Sequence, residues 1–415
     1  MDNKAWVAFL SDMAALRECD HGCRPSTACA ALALVLSLFA LCQTYLLYPI
    51  TLLLSRREEP STSTVEDGDP SVALVIAAYN EEAVIAGKIK NSLALEYPDL
   101  EIVVFSDGSS DRTDEIVRSY ADEGVRLERI EGRVGKTACQ NRVVEGLDCD
   151  IVVFSDANGQ YEPDAIDALV EGFEPGVGCV VGELRYRNGT GVEGESIYWR
   201  YERLVKRLES RFHSLIGANG SIYAVRRESY VPLPTGAISD FAEPLAIASR
   251  GERAVYAPGA VAWEHTAESV DEELDRRIRI ITRSWHTVSS FSELLDPRRY
   301  PRLSYQLFSH KLLRWLSPVS LVVAFVSSLV LASRSDTRLP RILLLGQVGY
   351  YALALCGWLA DRYDVAAPTV VHVPYYFVVA NYGMLVGLRN FLADRRIVAW
   401  ETAERTPHGE ATRDS

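Results

Sequence analysis

The chain has 415 residues and a formal net charge of −13, with 56 acidic against 43 basic side chains. That length holds a full enzyme domain plus something more. An acidic excess spread along the whole chain excludes a nucleic-acid groove, which needs a concentrated basic face. The eight cysteines (Cys19, Cys23, Cys29, Cys42, Cys139, Cys149, Cys179 and Cys356) lack the paired spacing of a zinc ribbon or a disulfide scaffold.

Residues 1–24 predict an amphipathic helix, with Trp6, Phe9, Leu10 and Met13 at helical spacing. Cys19, His21 and Cys23 lack an evident fourth ligand and read as incidental. Pro25 to Ser55 contains no Lys, Arg, Asp or Glu, and neither do Trp315 to Ser333, Ile342 to Ala360 or Val365 to Leu388. A span needs about 20 apolar residues, so these runs predict transmembrane helices over 25–55 and two to three more within 315–391. The first lacks a clear small-residue cleavage site and reads as a retained anchor. The last is interrupted by Pro374 and Asn381, so a re-entrant or interfacial segment is an alternative there. Arg56 and Arg57 open a polar linker over 56–69, and positive charge at that end predicts a multi-pass membrane protein whose catalytic domain is cytoplasmic.

From Pro70 the pattern changes to alternating strands and helices. Strands are predicted at Val72 to Ala77, Glu101 to Ser106, Val125 to Ile130 and Ile151 to Asp156, with helices over Glu82 to Leu95, Thr113 to Ala121 and Lys136 to Gly146. Short connections in a βαβα series predict right-handed crossovers and a mostly parallel sheet. The carboxyl ends of these strands are where such sheets bind ligands. There the chain places Ala78 to Glu82, Asp107-Gly108-Ser109-Ser110-Asp111, and Asp156-Ala157-Asn158. Asp156 and Asn158 offer hard oxygen ligands to a divalent cation, which usually takes further oxygens from a substrate phosphate. Asp107 to Asp111 equally suits a turn and helix cap. Gly135-Lys136-Thr137 resembles the end of a phosphate loop, but Ile130 stands where that loop needs its first glycine. Lys136 opens a helix, whose N-terminus favours anions such as a diphosphate; the alternative is a solvated lysine.

Ala77-Ala78-Tyr79-Asn80-Glu81, Phe105 to Asp111, Gly135-Lys136 and Phe154 to Asn158, in this order and spacing, resemble the family 2 glycosyltransferases. The similarity spans residues 70 to about 290, and the flanking apolar runs resemble the membrane-bound branch that includes cellulose and hyaluronan synthases. The resemblance implies an α/β fold of the GT-A nucleotide-diphospho-sugar transferase (Rossmann-like) type over 70–300, with flanking transmembrane helices. It implies that Tyr79, Glu81 and Asp107 line the nucleotide pocket and that Asp156 holds Mg2+ or Mn2+. The family usually has Asp-x-Asp there, and Asn158 replaces the last acid. The implied partners are a UDP- or GDP-sugar donor, a lipid-linked or glycan acceptor and membrane lipids.

Val180 to Arg187 predicts a further strand and Tyr198 to Ser214 an amphipathic helix. They lead to Gly217-Ala218-Asn219-Gly220-Ser221, which the resemblance makes an acceptor-side turn containing Asn219 and which otherwise reads as a hairpin corner. In Ile238 to Leu245, aligning on Pro244-Leu245 puts the family's catalytic base at Asp240, with Glu243 as the fallback. An inverting transfer needs one such carboxylate to take the acceptor's proton. Val255 to Trp263 predicts a last strand and Asp271 to Ser290 a helix bearing Arg283. Arg283 suits either a leaving diphosphate or anionic headgroups. Processive synthases carry Gln-x-x-Arg-Trp here. This chain has Ile280-Ile281-Thr282-Arg283-Ser284-Trp285, a departure that favours transfer of one or a few sugars. Residues 301–314 predict an interfacial helix and 392–415 a polar tail. The expected function is therefore an inverting membrane-bound glycosyltransferase. A processive synthase of the same fold or a non-catalytic nucleotide-sugar-binding subunit are the alternatives.

Overall fold

The computed structural model of the chain describes residues 27–55, 69–187, 193–265, 270–334, 338–363 and 365–395. The expected amphipathic segment 1–24, most of the linker and the polar tail lie outside these residues. Among the described residues, four helices are long and apolar enough to cross a membrane: α1 (Thr27–Leu54), Ser317–Arg334, Arg338–Arg362 and Thr369–Leu392. α1 passes through a π-helical turn at Gln43–Leu47.

The chain divides into two compact units. In one, whose described residues are 27–39, 320–334 and 338–349, Ala30 and Leu34 pack with Ala324 and Leu331. The other holds the remaining described residues, and its centre is an eight-stranded sheet in the order β3-β2-β1-β4-β7-β6-β8-β5. The strands are β1 (Val72–Ala78), β2 (Leu100–Asp107), β3 (Val125–Ile130), β4 (Ile151–Asp156), β5 (Gln160–Tyr161), β6 (Val177–Arg187), β7 (Tyr223–Arg226) and β8 (Arg253–His265). Between them come α2 (Ile85–Leu93), α3 (Thr113–Arg118), α4 (Lys136–Glu145), α5 (Ala165–Val170), α6 (Glu193–Phe212) and α7 (Ser239–Ser249).

The predicted strands form, and β3, β2, β1 and β4 are parallel as expected. The other half is mixed, because β7 runs antiparallel between β4 and β6 while β6 and β8 are parallel. The continuous apolar runs of β1, β2 and β4 follow from burial on both faces. Leu74, Ile76, Val104 and Val153 point into one core, whereas Val75, Phe105, Val152 and Phe154 point into the other. Register pairs Ala78 with Ser106 and Ala77 with Asp156, so the polar ends of β1, β2 and β4 share one edge.

After the sheet come α8 (Val270–Ser290) and the bent segment α9, which is helical over Pro301–Gln306, π-helical over Leu307–Leu312 and helical again over Leu313–Trp315. The last three apolar helices are α10 (Ser317–Arg334), α11 (Arg338–Arg362) and α12 (Thr369–Leu392). α12 is continuous through Pro374 and Asn381. The Asn381 amide donates to Phe377 O at 2.8 Å, and its Oδ1 accepts from Ser317 Oγ at 2.6 Å, so the polar side chain leaves nothing unsatisfied to break the helix. Gly387 lets α12 meet α8 closely, since a Cβ there would stand 2.6 Å from Ile281 Cγ2.

Candidate active site

Gly220, in the turn before β7, marks where the site converges. A Cβ on it would lie 3.1 Å from Asp156 Oδ2, 3.3 Å from Asp240 Oδ2 and 3.4 Å from Lys136 Nζ. Three polar groups from the end of β4, the first turn of α7 and the first turn of α4 thus surround one side-chain-free point. Lys136 Nζ donates to Asp156 Oδ1. Lys136 is therefore not a solvated surface lysine: burial alone would lower its pKa, but Asp156 and Asp240 outweigh burial and hold it above its ordinary value. Asp240 is shifted up, chiefly by burial and also by Asp156, against the opposing pull of Lys136, Lys206 and Arg283.

A second carboxylate joins Asp156. Ser221 Oγ lies 3.5 Å from Asp156 Oδ2 and donates to Glu264 Oε1 at the end of β8. Below them, fully buried Lys88 of α2 donates to Gly159 O at 2.6 Å and lies 3.9 Å from the centre of the Tyr161 ring. Burial pushes its pKa down to about 7, opposed by Asp156 and Glu264. On the other side of Asp240, Lys206 donates to Asn219 Oδ1, and Asn219 Nδ2 donates to Gly182 O at 2.8 Å. Lys206 falls to about 8, through burial and the nearby Lys311. Lys311, from the π-helical turn of α9, is lowered by burial and lies 5.6 Å from the centre of the Phe241 ring. Arg283 Nη2 donates to Ala237 O at 2.7 Å, in the loop that leads to Asp240.

The remaining expected residues line the β1 and β2 ends. Arg133 stacks on the Tyr79 ring at 3.9 Å. Glu81 is buried, and its backbone N–H donates to Thr113 Oγ1 at 2.8 Å. Asp107 is also buried, and its two carboxylate oxygens accept from Val134 N–H (2.8 Å) and Gly135 N–H (3.0 Å). It thereby ties the β2 loop to the turn that presents Lys136. Gly108, at φ +68°, is required there because a Cβ would come within 2.6 Å of Gly132 O. Asn158 is half-buried in the turn after Asp156.

Glu243, the fallback base, is placed elsewhere. It is fully buried on the core side of α7, and neither carboxylate oxygen has a hydrogen-bond partner among the described residues. Burial pushes its pKa well above the ordinary value, which favours the neutral carboxyl.

The residues present suit a magnesium-like ion. Asp156, Asn158 and Glu264 are hard oxygen donors. Among the described residues no three His, Cys, Asp or Glu side chains gather as a closed metal cage. Such a sparse set matches an ion that completes its shell with substrate phosphate and water.

A mixed sheet with polar loops at the β1/β4 switch point, and an acid at the end of β4 facing an acid on α7, make up a Rossmann-like GT-A fold. Residues 73–231 match the model of glycosyl transferase family 2. The chain is 27% identical over 244 residues to a poly-beta-1,6-N-acetyl-D-glucosamine synthase of Staphylococcus aureus, covering 55% of this chain and 58% of that protein. It is 23% identical over 285 residues to the Staphylococcus epidermidis synthase of the same name, covering 63% and 66%. The chain thus spans little more than half the length of the first of these. A mannosyltransferase from Pyrobaculum calidifontis, solved with GDP-Man and Mn2+, superposes with a TM-score of 0.68 at 21% identity, covering 88% of this chain and all of that one.

Proposed function

We propose that the protein is a multi-pass membrane glycosyltransferase that moves a sugar, with inversion, from a UDP- or GDP-sugar to a lipid-linked or glycan acceptor. The observation that carries this reading is the meeting of Lys136, Asp156 and Asp240 around Gly220. In a single displacement the acceptor hydroxyl gives its proton to Asp240 while its oxygen attacks the anomeric carbon, and the bond from that carbon to the diphosphate oxygen breaks. Burial of Asp240 raises its proton affinity, which suits a base working near neutral pH. Lys136 faces the charge that develops on the departing diphosphate. Tyr79, Glu81 and Asp107 shape the nucleotide side, while Asn219, Lys206 and Arg283 border the acceptor side. Asp156 with Asn158, supported by Glu264, would hold Mg2+ or Mn2+. Such an ion supplies Lewis-acid stabilisation of diphosphate departure. The spans keep the catalytic domain on the cytoplasmic side, where nucleotide sugars are made.

The test is release of nucleoside diphosphate and transfer of labelled sugar by the purified protein across a panel of UDP- and GDP-sugars. Asp240→Asn is expected to lower turnover by about 10²–10⁴-fold with donor affinity within twofold of wild type. Retained turnover in that variant would remove Asp240 from the reaction, and absence of any transfer by the wild-type protein across the panel, with donor still bound, would favour a non-catalytic subunit. The staphylococcal relatives, named as polysaccharide synthases, favour a processive second reading. Product-length analysis separates it: a ladder of long chains supports the synthase, and one or two added sugars support single transfer.

A further inference from the structure

The turn that follows Asp156, and the short edge strand β5 beyond it, are held from one side by α2. Asn91 Nδ2 donates to Tyr161 O at 2.9 Å and Asn91 Oδ1 accepts from the Tyr161 N–H at 2.7 Å. One side-chain amide thus stands in for the strand that β5, last in the sheet, lacks on its open edge. Three residues earlier on the same helical face, Lys88 Nζ donates to Gly159 O at 2.6 Å, and the Gly159 N–H closes the turn on Asp156 O at 3.2 Å. The Tyr161 hydroxyl then donates to Ser221 O at 2.9 Å, which also accepts from Ser155 Oγ at 3.2 Å. α2 therefore grips residues 159 and 161, and Tyr161 ties that segment to the Gly220-Ser221 turn.

Burying an ammonium costs free energy. Lys88 nevertheless lies with Ile85 and Ile89 on the buried face of α2, where an apolar side chain would pack without that cost. What the lysine adds there is a donor aimed at one backbone carbonyl of the Asp156 turn. An ion that takes few oxygens from the protein depends on the placing of each, and the groups that orient such ligands carry much of the affinity.

We propose that Lys88 and Asn91 are positioning residues for the divalent ion, setting the turn through which Asp156 and Asn158 reach it. This rests on the sugar-transfer reading, with Asp156 as the metal acid, and adds to it two residues of α2 that act only through the turn.

The test measures Mn2+ binding to the full chain in nonionic detergent by electron paramagnetic resonance, with UDP or GDP present, beside transfer rates at saturating Mn2+. The sign of the change separates three roles of Lys88. Lys88→Met keeps an apolar stem and removes both donor and charge. If Lys88 positions the turn, this variant should weaken Mn2+ binding about tenfold. If it were only a counter-charge to Asp156, losing a cation would tighten binding, and if it only filled the core, binding would stay within twofold of wild type. Asn91→Leu, uncharged before and after, should also weaken Mn2+ binding about tenfold and lower kcat at saturating Mn2+ with the donor KM within threefold; it decides the matter if Lys88→Met does not fold. Lys90→Met, exposed on the same helix, removes an equal charge and should stay within twofold on both readouts. Wild type that binds no Mn2+ would overturn the metal assignment and this proposal with it. Wild type that binds Mn2+, beside folded Lys88 and Asn91 variants that bind it within twofold or more tightly, would overturn this proposal alone.

Discussion

Gly220→Ala probes the convergence of the site with one methyl group. The added Cβ would stand 3.1 Å from Asp156 Oδ2, 3.3 Å from Asp240 Oδ2 and 3.4 Å from Lys136 Nζ, so these groups must yield by a few tenths of an ångström. Misplacement by 1 Å costs roughly 10²-fold in rate. A shift of a few tenths therefore costs about 5–10-fold in kcat, or about 1–1.4 kcal/mol in the barrier. The backbone at Gly220 is not in the left-handed region. A compatible Gly→Ala change then gains about 0.4–1 kcal/mol through the unfolded state, which offsets the crowding and leaves stability nearly unchanged. The assay pairs initial rates of labelled sugar transfer with the thermal unfolding midpoint of the same preparation. A rate within twofold of wild type at an unchanged midpoint would refute the reasoning, because it would mean that the three groups do not act at that point.

Lys88→Met should alter the pH dependence of stability. The folded Lys88 releases its proton near pH 7 while the unfolded lysine keeps it to about 10.4, so between those values the unfolded chain binds more protons and wild type gains stability as pH rises. From pH 7 to 9 wild type should gain about 2 kcal/mol relative to the variant, read as a widening gap in unfolding midpoints; a constant gap would contradict it. Glu243→Gln reports the opposite sign. Folded Glu243 keeps its proton where the unfolded glutamate has lost it, so the variant should match wild type near pH 4 and exceed it in midpoint at pH 7. Its transfer rate should stay within about threefold of wild type, and a loss comparable to that of Asp240→Asn would restore Glu243 as a base.

The strands were legible because β1, β2 and β4 are buried on both faces and therefore read as unbroken apolar runs ending in polar residues. Asp156 and Lys136 were legible for the same reason: each sits where a strand ends or a helix begins. The antiparallel insertion of β7 was not, since Tyr223–Arg226 is too short to carry a pattern of its own and owes its place to β4 and β6. Lys88, Lys206, Lys311 and Glu264 come from four separate elements, and no local spacing links them to the cleft. One signal was available. The chain has six lysines among 43 basic residues, and four of the six surround this cleft. Where arginine supplies nearly all of the basic charge, a lysine is a candidate for a place that takes a compact ammonium, although Lys90 is exposed away from the cleft.

The most direct measurement is a structure of the full chain with a bound, non-hydrolysed nucleotide sugar and a divalent ion. The account predicts the diphosphate against Lys136 and the ion on Asp156, with the anomeric carbon open to Asp240 from the side opposite the leaving oxygen. A nucleotide sugar seated away from Gly220, or an anomeric carbon screened from Asp240, would contradict it.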